Sequence, residues 1–360
     1  WKRANVGRVY YANWFGVSPD LADNSPLIQN ALNNMHSGDI LIFDSGIYSC
    51  KHRITLPYLA PSNAGHVGIT LQGAGKGPSH VRGSVVTQTV LTYSGPGYAT
   101  LTPFLDFRCA YRDGYQVFAG SIRNICISGG VGGKSKNIVG LWLHRCEGAL
   151  IESVSFLECT YGMKIEKYCY WAKFNDILCA VCECGVEAHG GNSAIFNYCN
   201  FRASDVGFRG GGNIALNNCY LEAIYEAAIE QIGTLHVNNC HFEAIFKHTI
   251  DVKSSGMLTL SNSSITLSNE NLTTNRAAIR LKIDPNKIFT LVLQNNSIYN
   301  VFANFYGSEY ELDYFIYIES GNIIIQAENN KISPAPGTFP ICSKAPLKTS
   351  YFNNDFKEEE

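Results

Sequence analysis

The chain has 360 residues, enough for one large core or as many as three domains, and a formal net charge of −2. That balance leaves no basic footprint for nucleic acid or an anionic membrane, and no apolar run approaches the roughly 20 residues of a membrane span. Charged residues make up 16 %, while 33 Gly, 20 Tyr and 19 Phe favour strands and tight turns over helices.

The first predicted element is an amphipathic helix in "DNSPLIQNALNNM" (23–35). Ser25 is the expected N-cap, Pro26 takes the first helical position, and Leu27, Ile28, Ala31, Leu32 and Met35 share one face. "GDILIFDSGIYSC" (38–50) follows as a strand, a turn and a second strand. The stretch 60–120 is rich in Gly, Pro and Ser. Its "LQGAGKGPSH" (71–80) lacks the Lys-Ser/Thr ending of a phosphate-cradling loop and reads as a turn.

A repeat then organises the chain. Apolar anchors at Leu141, Met163, Val186, Phe208, Ile229, Ile250, Ile279 and Ile316 follow one another at intervals of 22, 23, 22, 21, 21, 29 and 37 residues. Between them lies a second segment: "FNYCNFRA" (196–203), "LNNCYLEA" (216–223), "VNNCHFEA" (237–244), then versions ending at Ile265, Ile298 and Ile332. Apolar–polar alternation indicates half-buried strands. A unit this short cannot bury its own apolar face, so units must stack. The consensus of a leucine-rich repeat is absent, and a propeller blade needs about 40 residues. The remaining solution is an all-β, right-handed parallel β-helix with one unit per coil and a short N-terminal capping helix. Its expected organisation is an opening strand and helix over 1–50, the solenoid over 51–335 and an extension over 336–360. The long last intervals place inserted loops at 268–277 and 300–313. After 333, Pro-rich "SPAPGTFPICSKAP" and an acidic tail read as an exit from the solenoid.

Thirteen cysteines are an odd count for a disulfide framework. Many stand singly in apolar runs, as Cys126, Cys146, Cys159, Cys199, Cys219 and Cys240 do. Cys179, Cys182 and Cys184 come nearest to metal-ligand spacing, yet no second Cys or His pair follows. They are expected to be packed, reduced thiols, with no metal and no cofactor, and folding in a reducing cytoplasm follows. The chain begins at Trp1 without a signal-like segment, which reads as a fragment or processed product.

"NWFGVSPDLADNSPLIQNALNNMHSGDILIFDSGIYSC" (13–50) resembles the opening motif of pectate-lyase-like β-helix proteins: an Asp-rich loop, a capping helix, a Gly-Asp strand and a Gly-x-Tyr turn. The "NNCYLEA" and "NNCHFEA" coils resemble those of trimeric phage tail spikes and capsule depolymerases, over roughly 13–335. The resemblance implies a homotrimer that folds in a bacterial cytoplasm. It then acts outside the cell from the virion tail, binding and usually cleaving a bacterial surface polysaccharide. It implies neither nucleic-acid binding nor membrane insertion. One fold of this kind hosts hydrolases, lyases, epimerases and adhesins.

In stacked coils, equivalent residues form columns. Aligning the inward Phe201, Leu221 and Phe242 sets Arg202, Glu222 and Glu243 one above another, about 4.7–4.9 Å apart at the backbone. Paired carboxylates are the machinery of glycoside hydrolysis, one acid and one nucleophile or base. Glu243 is the expected acid and Glu222 the nucleophile or base, with Arg202 holding Glu222 ionised and Asp205 in support. A second column runs Trp142, Lys164, Glu187, Arg209, Glu230, Asp251, Arg280, Tyr317; its like-charged Glu230 and Asp251 read as a solvated pair flanked by arginines. Tyr220, Tyr225, His241, Phe246, His189, Arg209 and Glu230 are candidate substrate contacts, since sugars need flat rings and planar polar partners; Trp171 and His236 are candidates for a neighbouring face. The function expected is hydrolysis of a capsular or O-antigen polysaccharide. The alternatives are β-elimination at a uronic acid, with His189, Arg209 and Arg202 available for it, and a non-catalytic receptor-binding adhesin.

Overall fold

The computed structural model describes residues 8–57, 66–76, 88–108, 117–189, 193–267, 277–299, 314–333, 339–344, 347–352 and 355–356. The loops expected at 268–277 and 300–313 lie outside these, apart from Ala277, as does part of the 71–80 turn. Strands laid in parallel register dominate, and the fold is a right-handed parallel β-helix with, among the described residues, one α-helix near its start. Two compact units divide the chain: 1–187 with 191–194, and 188–190 with 195–360.

In the N-terminal unit the helix spans Ser25–Asn33 and buries Ile28, Ala31 and Leu32. Its cap falls one residue before the expected Ser25, at Asn24. Asp23 does the capping work instead: its Oδ1 accepts hydrogen bonds from Ser25 N, Ser25 Oγ and Lys51 N. Burial alone would raise the Asp23 carboxyl, but these bonds and nearby His52 hold it below its ordinary range. One ladder of this unit runs through Ile40–Ile42, Thr70–Gln72, Ser121–Ser128, Leu150–Leu157 and Lys173–Ala180. Another runs through Ile54–Thr55, Thr102–Arg108, Ile138–His144 and Tyr161–Ile165, with Leu105, Leu141 and Met163 in one buried column.

The C-terminal unit has three ladders. The first stacks Ile214–Asn217, Leu235–Asn238, Gly256–Ser261, Ile288–Gln294 and Asn322–Glu328. The second, which carries the repeated glutamates, stacks Asn200–Arg202, Tyr220–Ile224, His241–Ile245, Ser264–Leu267, Ser297–Tyr299 and Lys331–Ser333. The third, built on the anchors Phe208, Ile229, Ile250, Ile279 and Ile316, stacks Val206–Gly211, Ala227–Gln231, His248–Val252, Ala277–Lys282 and Tyr314–Ser320. All three continue past residue 336, where the Pro-rich composition reads as an exit: Leu347–Phe352, Asp355–Phe356 and Phe339–Ser343 each add a parallel strand.

The repeated words encode corners. The Asn before each Cys or its equivalent has left-handed backbone at Asn218, Asn239, Asn262, Asn295 and Asn329, a conformation Asn tolerates well. The next residue points inward and accepts the N–H of its counterpart one coil earlier. Thus Cys219 N donates to Cys240 Sγ (3.4 Å), Cys240 N to Ser263 Oγ (3.1 Å), Ser263 N to Asn296 Oδ1 (3.0 Å) and Asn296 N to Asn330 Oδ1 (3.1 Å). The Cys240 thiol is thus a structural acceptor; the described cysteines at 50, 126, 146, 159, 169, 179, 182, 184, 199, 219 and 240 are all buried thiols. The Ala after each Glu or Arg makes the next corner, with φ of 48°, 53° and 52° at Ala203, Ala223 and Ala244. That bend lets both Leu221 and Ile224, and both Phe242 and Ile245, turn into the core.

Candidate functional site

Glu222 and Glu243 are register partners, as are Arg202 and Glu222. The inward residues Phe201, Leu221 and Phe242 are fully buried, so strand alternation turns the three charged side chains outward. The two carboxylates do not have equal surroundings. Tyr220 Oη donates to Glu243 Oε2. His241 Nε2 lies 3.5 Å from the same oxygen, and His241 Nδ1 is hydrogen-bonded to Ser264 Oγ from the next coil. The Tyr220 and His241 rings stack, centroids 4.8 Å apart at 21°. Burial first, then the bond to Glu243, pushes the Tyr220 phenol up, so it stays a donor at neutral pH.

Among the described residues the Glu222 carboxylate makes no hydrogen bond or ion pair. Arg202 does not hold it as expected: no ion pair joins them, and the buried Arg202 Nε has no partner. The reason lies in the ladder itself, which sets the two residues in adjacent coils but leaves each side chain free to lean away. The surroundings of the two acids differ accordingly. Glu243 is the carboxylate with donors around it, and Glu222 is the one without.

Beyond the Ala corners lies a second group. Tyr225 and Phe246 stack at 5.3 Å and 14°, with Tyr225 exposed, and Lys247 pairs with Glu226 alongside. The backbone of Asp205 helps to form this corner, since its carbonyl accepts from Glu226 N and Ala227 N.

Arg209 and Glu230 stand on the third ladder. Arg209 Nε bonds Glu230 Oε2 at 2.5 Å, Lys253 pairs with Glu230, and Arg280 grips Asp251 through two bonds of 2.9 and 2.7 Å. Glu230 and Asp251 are 5 % and 4 % exposed, so the pair expected to be solvated is buried within an ion cluster. Burial would raise Asp251, but the Arg280 hydrogen bonds and the surrounding cations hold it below its ordinary value.

His189 ends the strand Cys184–His189; Ala188 abuts Gly210, at the end of the third ladder away from the Ala corners. His236 lies on the first ladder, and Trp171 lies in the N-terminal unit. The structure thus gathers Arg202, Tyr220, Glu222, His241 and Glu243 on one face, with Tyr225 and Phe246 at its edge. Ser264 and Lys253 were missed by sequence reasoning. Ser264 has a signal, since it occupies the Tyr220–His241 position one coil on.

Among the described residues no three His, Cys, Asp or Glu side chains converge to hold a metal ion, and no helix is long and apolar enough to cross a membrane. No protein-family model and no curated protein matches the chain. Solved structures do match it. The A-module of a mannuronan C-5 epimerase of Azotobacter vinelandii superposes with a TM-score of 0.69 at 13 % identity, over 96 % of this chain and 95 % of that one. The enzymatically active domain of bacteriophage CBA120 tailspike protein 2 gives 0.64 at 12 %, over 96 % and 52 %. A protein of Geobacillus virus E2 gives 0.57 at 16 %; the match covers 98 % of this chain and 62 % of that longer one. At these identities the likeness is one of fold. The chain shares the parallel β-helix fold of these structures.

Proposed function

We propose that the protein is a phage tail-spike depolymerase that hydrolyses glycosidic bonds of a bacterial capsular or O-antigen polysaccharide, acting as a homotrimer at the virion tail. One observation carries the reading. Two outward carboxylates stand in adjacent coils, one held by donors and one free of them. Hydrolysis at a glycosidic bond needs that asymmetry: one carboxyl must arrive protonated and the other ionised. Glu222 is the general acid. Glu243, already accepting from Tyr220 and steadied by His241, is the nucleophile or base. The Tyr220–His241 stack and the Tyr225–Phe246 stack offer flat faces for sugar rings. The tailspike and epimerase names among the matched structures agree with a polysaccharide substrate.

The test is digestion of a panel of capsular and O-antigen polysaccharides with product analysis. Hydrolysis yields new reducing ends alone. Products that absorb as unsaturated sugars would replace this reading with elimination, and binding without any product would replace it with an adhesin.

A further inference from the structure

The N-terminal unit carries exposed aromatic surface that the acid pair does not use. Trp171 is 61 % and Tyr168 51 % exposed. Both sit at corners in left-handed backbone, with φ of 53° and 67°, where bulky side chains are uncommon. The Trp171 ring leans on Tyr170, centroids 6.3 Å apart at 51°. One coil below, Glu147 is the bridge partner of Tyr170, and Gly148 donates its N–H to Tyr170 O at 2.9 Å. Gly148 therefore stacks under Trp171. A Cβ built at Gly148 would meet nothing within 4 Å, and its φ of +64° favours glycine there. The corner is thus open: backbone at Gly148 on one side, an indole face on the other.

The chain around it is polar: Lys167 and Lys173, close to Trp171 in sequence, are exposed, and Glu147, next to Gly148, is half-buried. Contacts between protein chains bury cores depleted in the Lys and Glu that flank this corner. A pyranose ring suits it: the C–H face lies on the indole and the hydroxyls meet the charged edge. We infer that this corner is a second, non-catalytic glycan site, which takes one pyranose ring of the polysaccharide against Trp171 above Gly148. The inference rests on the polysaccharide reading of the protein.

The test uses the full chain carrying Glu222→Gln, so that bound chains survive, and measures retention on immobilised capsular and O-antigen polysaccharides. Adding Trp171→Ala should weaken retention at least about fivefold, the order of a lost ring stack, and Trp171→Phe should restore most of it. Sedimentation mass should not change. Equal retention in Trp171→Ala overturns the inference, as does a fall in mass, which would make the corner a contact with a second copy. Retention that depends on Trp171 in a protein that cleaves nothing would leave this site standing and remove only the hydrolase. Cleavage that depends on Glu222, with retention indifferent to Trp171, would do the reverse. No retention of the Glu222→Gln chain on any polysaccharide of the panel removes both.

Discussion

Two like-charge pairs stand on neighbouring ladders of the C-terminal unit, made by one rule of register. Glu230 and Asp251 are buried and enclosed by Arg209, Lys253 and Arg280. Glu222 and Glu243 are partly exposed, and the arginine beneath them pairs with neither. The first pair has its charge balanced where it stands. In the second, only Glu243 has partners, and those are donors able to sit beside a substrate. A coiled ribbon places like residues in columns whatever their purpose; what distinguishes these two pairs is the cations around them.

The largest effect should come from the exposed pair. Glu222→Gln and Glu243→Gln each keep shape and remove an ionisable group, and each should lower cleavage by about a thousandfold or more while the protein stays folded and bound. Full activity in either variant would move the chemistry elsewhere. Glu230→Gln is the contrast, and should reduce stability more than turnover.

The paired column should fail differently. Arg280→Leu strips Asp251 of its two hydrogen bonds and leaves a buried carboxylate, a loss of about 3 kcal/mol or more in unfolding free energy. Arg202→Leu, at a side chain with no ion pair, should cost far less. Acid sharpens the contrast. Asp251 titrates below its ordinary 3.8 in the folded protein, so the unfolded chain takes up the proton first. Its stabilisation is complete above about pH 4 and is lost as pH falls further. Buried His248 is pushed below its ordinary 6.5, chiefly by desolvation; stability should already decline as pH drops under about 6.5. Thermal unfolding from pH 8 to 3 should show both limbs, the lower one reduced in Arg280→Leu.

The columns themselves were legible because a 21-residue echo becomes vertical register once the strands are parallel. Leu141 over Met163 and Glu222 beside Glu243 could be read from spacing alone. The partners could not. Glu243 takes its donor from Tyr220, 23 residues back, and leans on His241, whose other nitrogen is held by Ser264 a coil later. Such contacts depend on how side chains lean, which periodicity does not encode. Burial of Glu230 and Asp251 was hidden for the same reason, since Lys253 reaches both from outside their column. Composition misled at the end of the chain, where proline content suggested an exit and the ladders in fact gain further strands.

The thiol column allows a smaller test. Cys240 accepts the N–H of Cys219, and Ser263 does the same for Cys240 one coil on. Cys240→Ser keeps an acceptor and should change stability by under about 1 kcal/mol. Cys240→Val keeps volume but orphans a buried N–H, at a cost of about 1–3 kcal/mol. Equal melting temperatures for the two variants would show that the column packs and does not bond.

The least effect, and the only gain, is expected at the corners beside the acids. One corner is turned by Asn at 218, 239, 262, 295 and 329, the other by Ala at 203, 223 and 244, all with positive φ. Asn and Gly accept that backbone more readily than Ala does, because a Cβ there crowds the carbonyl oxygen. Ala223→Gly or Ala244→Gly should relieve the crowding and raise stability by about 0.5–1 kcal/mol, less whatever the freer unfolded chain takes back. The same substitution loosens the residue next to each glutamate. If the acid pair is held by its corner, Ala244→Gly will raise the melting temperature and lower turnover together; a gain in both would show that the Tyr220 and His241 contacts alone keep Glu243 in place.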